Sequence, residues 1–447
     1  MTSRQCIYQV VRSIINTVSV LVFLLVYHAT FRFDIFAPLI EHHKKQQWDR
    51  SSATYAPLRY QRLSSPLAQP QPKPRSLQSC RRLTHWQSTT HISQVLYSFN
   101  FPQASTDLSF LAWVPGNKVV DLPTAVAQFY HGQELTWSVM ARVNGKTHSL
   151  FGVPRPGDNT NPGTFISADF SATHTTFTVT ADDVKFVLNF FSPVSPHDYA
   201  RQSMPFSYLT VSTSSVNNDE MPGVQVYSDM DNSWVGQFGD GDGINLAWNW
   251  ESIQETTQAA TQVFSLSQVG TANYSEEEDM ALWGTAAYCT RENGSKLSNR
   301  VGNVDEVRNA FAADGKLGGG GDFHPGSVFA YSQDLGQLKG TSNVTFVIGH
   351  VRDPLVSYHG ADRASYWKSV CKDVNCGCMH ALDDLRAADE ESRNLDSFIA
   401  NVDVGGANYS NILALSTRQT FGTFELTIPS DTLDQSSVLA FLKEISR

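Results

Sequence analysis

The run Phe177-Thr-Val-Thr-Ala-Asp-Asp-Val-Lys-Phe-Val-Leu-Asn-Phe190 decides the fold class. Val184, Phe186, Leu188 and Phe190 recur at every second residue, so on a strand they share one face. Phe177 and Val179 alternate in the same way up to Ala181-Asp182-Asp183, where the polar pair marks a turn. Upstream, Val139, Ala141 and Val143 alternate, Asn144-Gly145 interrupts, and residues 146–151 resume. Asn-Gly between two such runs signals a hairpin, because a type I′ turn needs two residues at positive φ. Residues 224–227, 328–331 and 344–348 read as further strands. Many strands with turn signals and no intervening helices, from about 96 to 350, predict an antiparallel β-sandwich. It spans roughly 105–350, with Val184, Phe186, Leu188 and Phe190 inward.

After residue 350 the pattern becomes helical. Residues 361–401 are rich in Ala, Leu, Asp, Glu and Arg, and read as one or two helices around a Cys-rich interruption. Residues 409–421 read as another helix, with Leu413 and Thr417 on one face and Gly422 as its stop. Residues 433–445 read as a third. Its apolar positions Leu433, Val438, Leu439, Phe441 and Leu442 are then left without partners.

Composition agrees with a packed body. Of 447 residues 41% are apolar and 17% charged, which excludes a disordered chain, a coiled coil or a collagen-like rod. The net charge of −10 hides an asymmetry. Residues 1–95 carry 12 Lys and Arg against 3 Asp and Glu, leaving 21 against 40 in the rest. An acidic body repels phosphate backbones, so no nucleic-acid partner is expected.

The first 40 residues read as a membrane anchor or a signal segment. No charge falls from Ser13 to Phe31, 19 residues, just long enough for a transmembrane helix and hence a membrane partner. Ala29 with Tyr27 two before it makes a poor cleavage site, so an uncleaved anchor competes with a cleaved signal and with a misassigned start. Similar positive charge on both flanks leaves orientation open. Residues 41–104 read as a Pro/Ser/Gln-rich stalk that cannot bury enough apolar surface to offset its ordering entropy. Four N-x-Ser/Thr sequons follow, at Asn273, Asn293, Asn343 and Asn408, as candidate N-glycosylation sites. They suggest a body that is extracellular or lumenal, in a single-pass membrane or a secreted protein.

No motif identifies a catalytic centre. Cys371-x4-Cys376-x-Cys378-x-His380 has zinc-binding residue types, but its spacing is compressed and a disulfide or free thiols compete. Cys6 precedes the apolar run and five cysteines follow it, so at least one is unpaired or pairs between chains. Gly239-Asp-Gly-Asp-Gly243 lacks the Glu that closes a calcium loop and reads as a polar turn. Gly318 to Gly321 lacks a following Lys-Ser/Thr and reads as a surface loop. Asp229 and Asp231 share a strand face; paired carboxylates serve acid–base chemistry, but a solvated pair at a strand end is the plainer reading. No metal or cofactor is expected, and the catalytic residues stay unknown.

The stretch Phe191-SPVSPHDYARQSMPFSYLT-Val211 resembles the secreted fungal glutaminase A family, which carries a similar F-x-SPV-x-P-x-D-x-x-RQS-x-PFSYL block. Further blocks follow in the family's order: Gly132-Gln133 with Trp137, Arg142-Val-Asn-Gly145, Val224-Gln-Val-Tyr-Ser-Asp229 with Trp234-Val235, and Trp283-Gly284. Ala414-Leu-Ser-Thr-Arg-Gln-Thr-Phe-Gly422 and Phe441-Leu-Lys-Glu-Ile-Ser446 complete the set, which covers about 105–447. The resemblance implies a mainly β then α chain, an antiparallel β-sandwich (105–350) followed by an incomplete, truncated helical-hairpin domain of α/α toroid type (351–447). It implies hydrolysis of glutamine to glutamate and ammonia as the family reaction, weak or absent in this chain because the active site is expected largely in the barrel. The Cys371 to Cys378 stretch resembles an insertion, and Arg418 is a candidate partner for a carboxylate. The alternative is a non-catalytic, membrane-tethered β-sandwich that binds a ligand or partner.

Overall fold

The computed structural model describes residues 127–128 and 134–442, apart from 153–154, 156, 218–220, 236–247, 256–258, 278–279, 282, 325, 403–405 and 423. All lie in the second of two compact units, Trp86–Arg447. The Ser13 to Phe31 run, the stalk, Gly132-Gln133 and the Gly239 to Gly243 turn fall outside the described residues. Among the described residues, no helix is long and apolar enough to cross a membrane.

The body is mostly β and almost wholly antiparallel. One sheet has six strands: β1 (Trp137–Val143), β2 (Lys146–Phe151), β3 (Asn161–Pro162), β8 (Gly223–Asp231), β12 (Lys296–Asn303) and β13 (Ser327–Gln337), in the order β12-β13-β8-β1-β2-β3. The other has eight: β4 (Thr164–Phe170), β5 (His174–Ala181), β6 (Val184–Phe191), β7 (Phe206–Ser215), β9 (Trp248–Glu255), β10 (Thr261–Gln268), β11 (Thr285–Arg291) and β14 (Ser342–Val351), in the order β9-β10-β11-β14-β7-β6-β5-β4. Among the described strands only the β2–β3 pairing is parallel.

The two sheets face each other across one apolar core, to which Val184, Phe186, Leu188 and Phe190 contribute as their spacing predicts. Across it Trp137 meets Phe190 edge-on at 5.6 Å, and Phe264 meets Phe329 at 5.2 Å. The Asn144-Gly145 turn has φ of 47° and 88°, the positive pair that a type I′ hairpin requires.

Helices do interrupt the strands, contrary to the sequence expectation. A short α1 (Tyr199–Ser203) precedes β7, and α2 (Val304–Asp314) follows β12. Val304, Val307 and Phe311 of α2 recur at helical spacing and pack with Met140, Tyr227 and Val328 on the outer face of the six-stranded sheet. Asn303 caps this helix by accepting from the Asp305 and Glu306 amides.

On the eight-stranded sheet's outer face lies α3 (Val374–Ala400), whose buried positions include Gly377, Cys378, Ala381 and Ala388. Central strands therefore bury both faces: Tyr288 points into the core, Cys289 toward α3. The expected Cys-rich interruption is the start of this one helix. Residues 361–365 form a strand instead of a helix.

Helix α4 (Gly406–Gly422) follows as expected, with Leu413 packed against Ile399 and Ala414. Among the described residues 433–442 the expected third helix does not form. Residues 435–437 form a 3₁₀ turn, and a small sheet orders β15 (Val356–Tyr358), β16 (Ala361–Ser365), β17 (Phe424–Pro429) and β18 (Leu439–Leu442). Asp434 caps that 3₁₀ turn by accepting from the Ser436 amide, and beyond the turn Leu442 pairs with Phe424. Phe441 therefore meets Tyr358 edge-on at 5.3 Å as a strand residue.

Candidate functional site

Charged chemistry concentrates beneath α3. Its first turn is capped by Asp373, which accepts from the Cys376 amide at 2.8 Å. Small buried residues along its inner stripe let it lie close to the sheet. Carboxylates flank that stripe, and the spacing of seven between Asp384 and Glu391, and between Asp389 and Asp396, brings each pair to the same side.

The block that carries the sequence resemblance is the plate on which α3 sits. Arg201 of α1 holds Asp384 through two nitrogens, one contact at 2.7 Å, and Glu391 at 2.6 Å. The hydrogen bond to Asp384 raises the Arg201 pKa further above its ordinary value. Gln202 accepts from the Ser195 amide at 2.8 Å, and the Tyr208 hydroxyl donates to the Ala381 carbonyl at 3.0 Å. The Val194 amide donates to Ser392 Oγ at 3.2 Å.

Beside it stands a second cluster. His174 of β5 meets Asp389 at 2.9 Å through Nε2 and Asp396 at 3.0 Å through Nδ1, and stacks on Phe191 at 4.4 Å. The ring is thus held from both sides by carboxylates of α3. Ser171 Oγ and Thr173 Oγ1 donate to Asp396 at 2.6 and 2.7 Å. Burial works to raise both carboxyls, but hydrogen bonds outweigh it: from Arg393 and His174 at Asp389, and from His174, Ser171 and Thr173 at Asp396. Both carboxyls are held below their ordinary value. Arg418 of α4 closes the cluster. It donates to the carbonyls of Ser171, at 2.6 Å, and His174, and to Thr175 Oγ1 at 2.8 Å. Arg418, expected as a partner for a carboxylate, thus ties α4 to the backbone of β5 and the turn before it.

Hydroxyl, imidazole and carboxylate meet here, as nucleophilic catalysis would need. Their burial argues for a different role. Thr173 is only 1% exposed, and both His174 nitrogens are engaged by α3 carboxylates. A carboxyl held below its ordinary value is also a weaker base at neutral pH. The arrangement clamps a helix to a sheet.

A third ionic cluster lies under α2. Arg308 binds Asp229 through two nitrogens at 2.8 and 3.1 Å and Asp158 at 2.9 Å, while Tyr227 donates to Asp229 at 2.7 Å. Asp229 is 0% exposed, so the solvated-pair reading is corrected for it. Asp231 instead accepts from the Ser233 amide at 2.9 Å, and burial raises its carboxyl above the ordinary value.

The Cys-rich segment holds a Cys371–Cys376 disulfide, while Cys289 and Cys378 are buried thiols. Among the described residues no group of three metal-ligating side chains converges. Asn273, Asn293, Asn343 and Asn408 are all exposed. The sequence reading quoted Arg201 and Tyr208 without a role and missed His174 with its two aspartates. The usable signal was the seven-residue repeat of acids on α3, though nothing in it names the partners.

Residues 173–402, just over half of the chain, match the family described as Domain of unknown function (DUF5127). The chain is 30% identical over 333 residues to Glutaminase A of Aspergillus oryzae, covering 71% of this chain and 46% of that protein. It is 28% identical over 355 residues to a probable glutaminase of Arthroderma benhamiae, covering 71% of this chain and 39% of that protein. The chain spans less than half the length of these curated relatives.

Proposed function

Because the chain belongs to the DUF5127 family and is glutaminase A-like, we propose that it serves hydrolysis of the side-chain amide of glutamine, giving glutamate and ammonia. The observation that carries this reading is the similarity, over 71% of the chain, to a protein named Glutaminase A. In this reading the sandwich is one wall of a substrate cleft. Helices α3 and α4 open a helical-hairpin domain of the α/α toroid kind.

Amide hydrolysis needs an activated nucleophile or water, and donors for the oxyanion that develops on the carbonyl oxygen. The ion pairs under α3 commit His174, Asp389 and Asp396 to holding that helix. The reacting groups therefore lie outside this clamp, and residues 1–447 alone turn glutamine over weakly. The test measures ammonia release from glutamine by the purified 447-residue chain, with the Aspergillus oryzae protein as control. Turnover within about tenfold of the control places the reacting groups in this chain and overturns the weak-turnover statement. Saturable glutamine binding with low turnover supports the cleft-wall reading.

A second reading, a non-catalytic sandwich that binds a different ligand, is favoured by the complete pairing of His174 and Arg201. Absence of both binding and turnover with glutamine selects it. We also propose that the body is extracellular or lumenal. The Cys371–Cys376 disulfide and the four exposed sequons support this. No mobility change on deglycosylation, together with recovery in the cytosol, would count against it.

A further inference from the structure

Beneath the first turns of α3 two thiols meet. Cys289 of β11 and Cys378 of α3 are both 0% exposed. The Cys289 Sγ lies 4.0 Å from the Cys378 carbonyl oxygen, toward which its thiol points. They are 89 residues apart in sequence, one on α3 and the other on a central strand of the sheet that α3 covers. Their surroundings are apolar: Tyr208, Val263, Ala287, Val347 and Ala381.

That setting excludes two common roles for a cysteine pair. No third ligand stands beside them for a metal, among the described residues. Burial, and then the hydrogen bond with Cys378, push the Cys289 thiol up, so it is a poor nucleophile in the folded protein. What brings the two thiols together is close helix packing. A Cβ at Gly377 would lie 2.9 Å from Phe206 Cε2, and one at Gly349 only 2.4 Å from Phe206 Cδ1. Both glycines allow Phe206 to sit low and the α3 backbone to approach the sheet at Cys378.

We propose that Cys289 and Cys378 are the two ends of a cross-link that staples α3 to the eight-stranded sheet, formed by oxidation with a small-molecule or protein disulfide. One cysteine thiolate attacks a sulfur of that acceptor, expels one acceptor thiolate and forms a mixed disulfide. The other cysteine thiolate attacks the protein sulfur of the mixed disulfide, closes the Cys289–Cys378 bond and expels the second acceptor thiolate. Two electrons and two protons pass to the acceptor, which leaves as two thiols. Sulfurs this deeply buried cannot meet an acceptor in the docked state. The bond therefore forms before α3 settles, and docking then shields it from reductant. An environment that keeps Cys371–Cys376 oxidised suffices, and the glutamine reading is not required.

The test uses the full chain, produced once through an oxidising secretory route and once under reducing conditions. Each sample is denatured in alkylating reagent without reductant, digested and mapped by mass spectrometry. The expected result for the oxidised chain is one linked peptide pair joining Cys289 to Cys378 and another joining Cys371 to Cys376. The Cys289–Cys378 bond should also shift the unfolding equilibrium toward the folded state by roughly 30- to 1000-fold. That shift is read as the difference between the oxidised and reduced forms of a Cys371→Ser/Cys376→Ser variant, which removes the other disulfide. If that variant does not fold, mapping of the unaltered chain still decides. Recovery of Cys289 and Cys378 both alkylated from the oxidised chain would overturn the proposal. So would linkage of Cys378 to Cys371 or Cys376, or of Cys289 to Cys6 or Cys80.

Discussion

Between the two sheets Trp137, Phe151, Phe177 and Phe190 meet ring against ring. Beneath α3, Arg201 and His174 meet carboxylates. Both regions are buried, but different forces hold them. The sheet interior is stabilised by apolar area removed from water, an effect that needs only size and side. The seam needs particular partners at hydrogen-bond distance, because a buried charge without its partner is costly. The interior should therefore respond to volume, and the seam to charge, pH and salt. A sandwich of this kind tolerates exchange of one apolar residue for another better than its helix tolerates exchange of one cation for another.

The largest effect should come from the interior. Trp137→Ala removes a 2%-exposed ring that packs on Phe190 and Trp234, together with the indole donor to Ser228 Oγ. It should cost about 3–5 kcal/mol. Denaturant unfolding should show the lost stability as one cooperative transition. A much smaller loss would mean that the interior, like the seam, rests on something other than packing.

Next comes the clamp. Arg201→Ala leaves Asp384 and Glu391 without their cation in a half-buried setting. The cost should be about 1–3 kcal/mol, between the values for exposed and buried pairs. The comparison sharpens if the loss is local. Hydrogen exchange should then rise in the α3 amides while β5 and β6 keep their protection. Equal loss of protection in both regions would show that sheet and helix unfold as one unit.

A smaller effect follows from acid. Asp389 and Asp396 are held below the ordinary carboxylate value. Their unfolded forms bind more protons than the folded ones, so they stabilise the fold above about pH 4. That contribution is lost as pH falls toward their lower folded values. Urea midpoints measured from neutral pH down to acid should fall for the natural chain. In Asp389→Asn/Asp396→Asn the acid limb should be flatter. An unchanged limb would remove these two groups from the account.

The smallest effect belongs to Arg291 and Asp383. Although they touch, Asp383 is 65% exposed. Asp383→Ala should change stability by less than about 0.5 kcal/mol, and high salt should erase even that.

Most of the sandwich was legible because period two is a local property. Val184 to Phe190 and the Asn144-Gly145 turn each fix their conformation within a few residues. Helix α2 was as legible, with Val304, Val307 and Phe311 at helical spacing behind the Asn303 cap, but the surrounding β pattern obscured it. The strand Leu439–Leu442 was not legible. Its residues suit a helix or a strand, and pairing with Phe424–Pro429 decided between them. The clamp was legible only as unmatched halves: acids seven apart on α3, and an arginine in the SPV-to-SYL block.

By itself the sequence determined which faces are apolar, where the hairpins turn and to which family the chain belongs. These follow from residue type and local spacing. Only the tertiary structure decided that Arg201 faces Asp384 and Glu391 across more than 180 residues, that Arg418 serves backbone carbonyls, and that Cys289 meets Cys378. Such pairings depend on how sheet and helix are brought together, and contact between side chains far apart in sequence leaves no period to read.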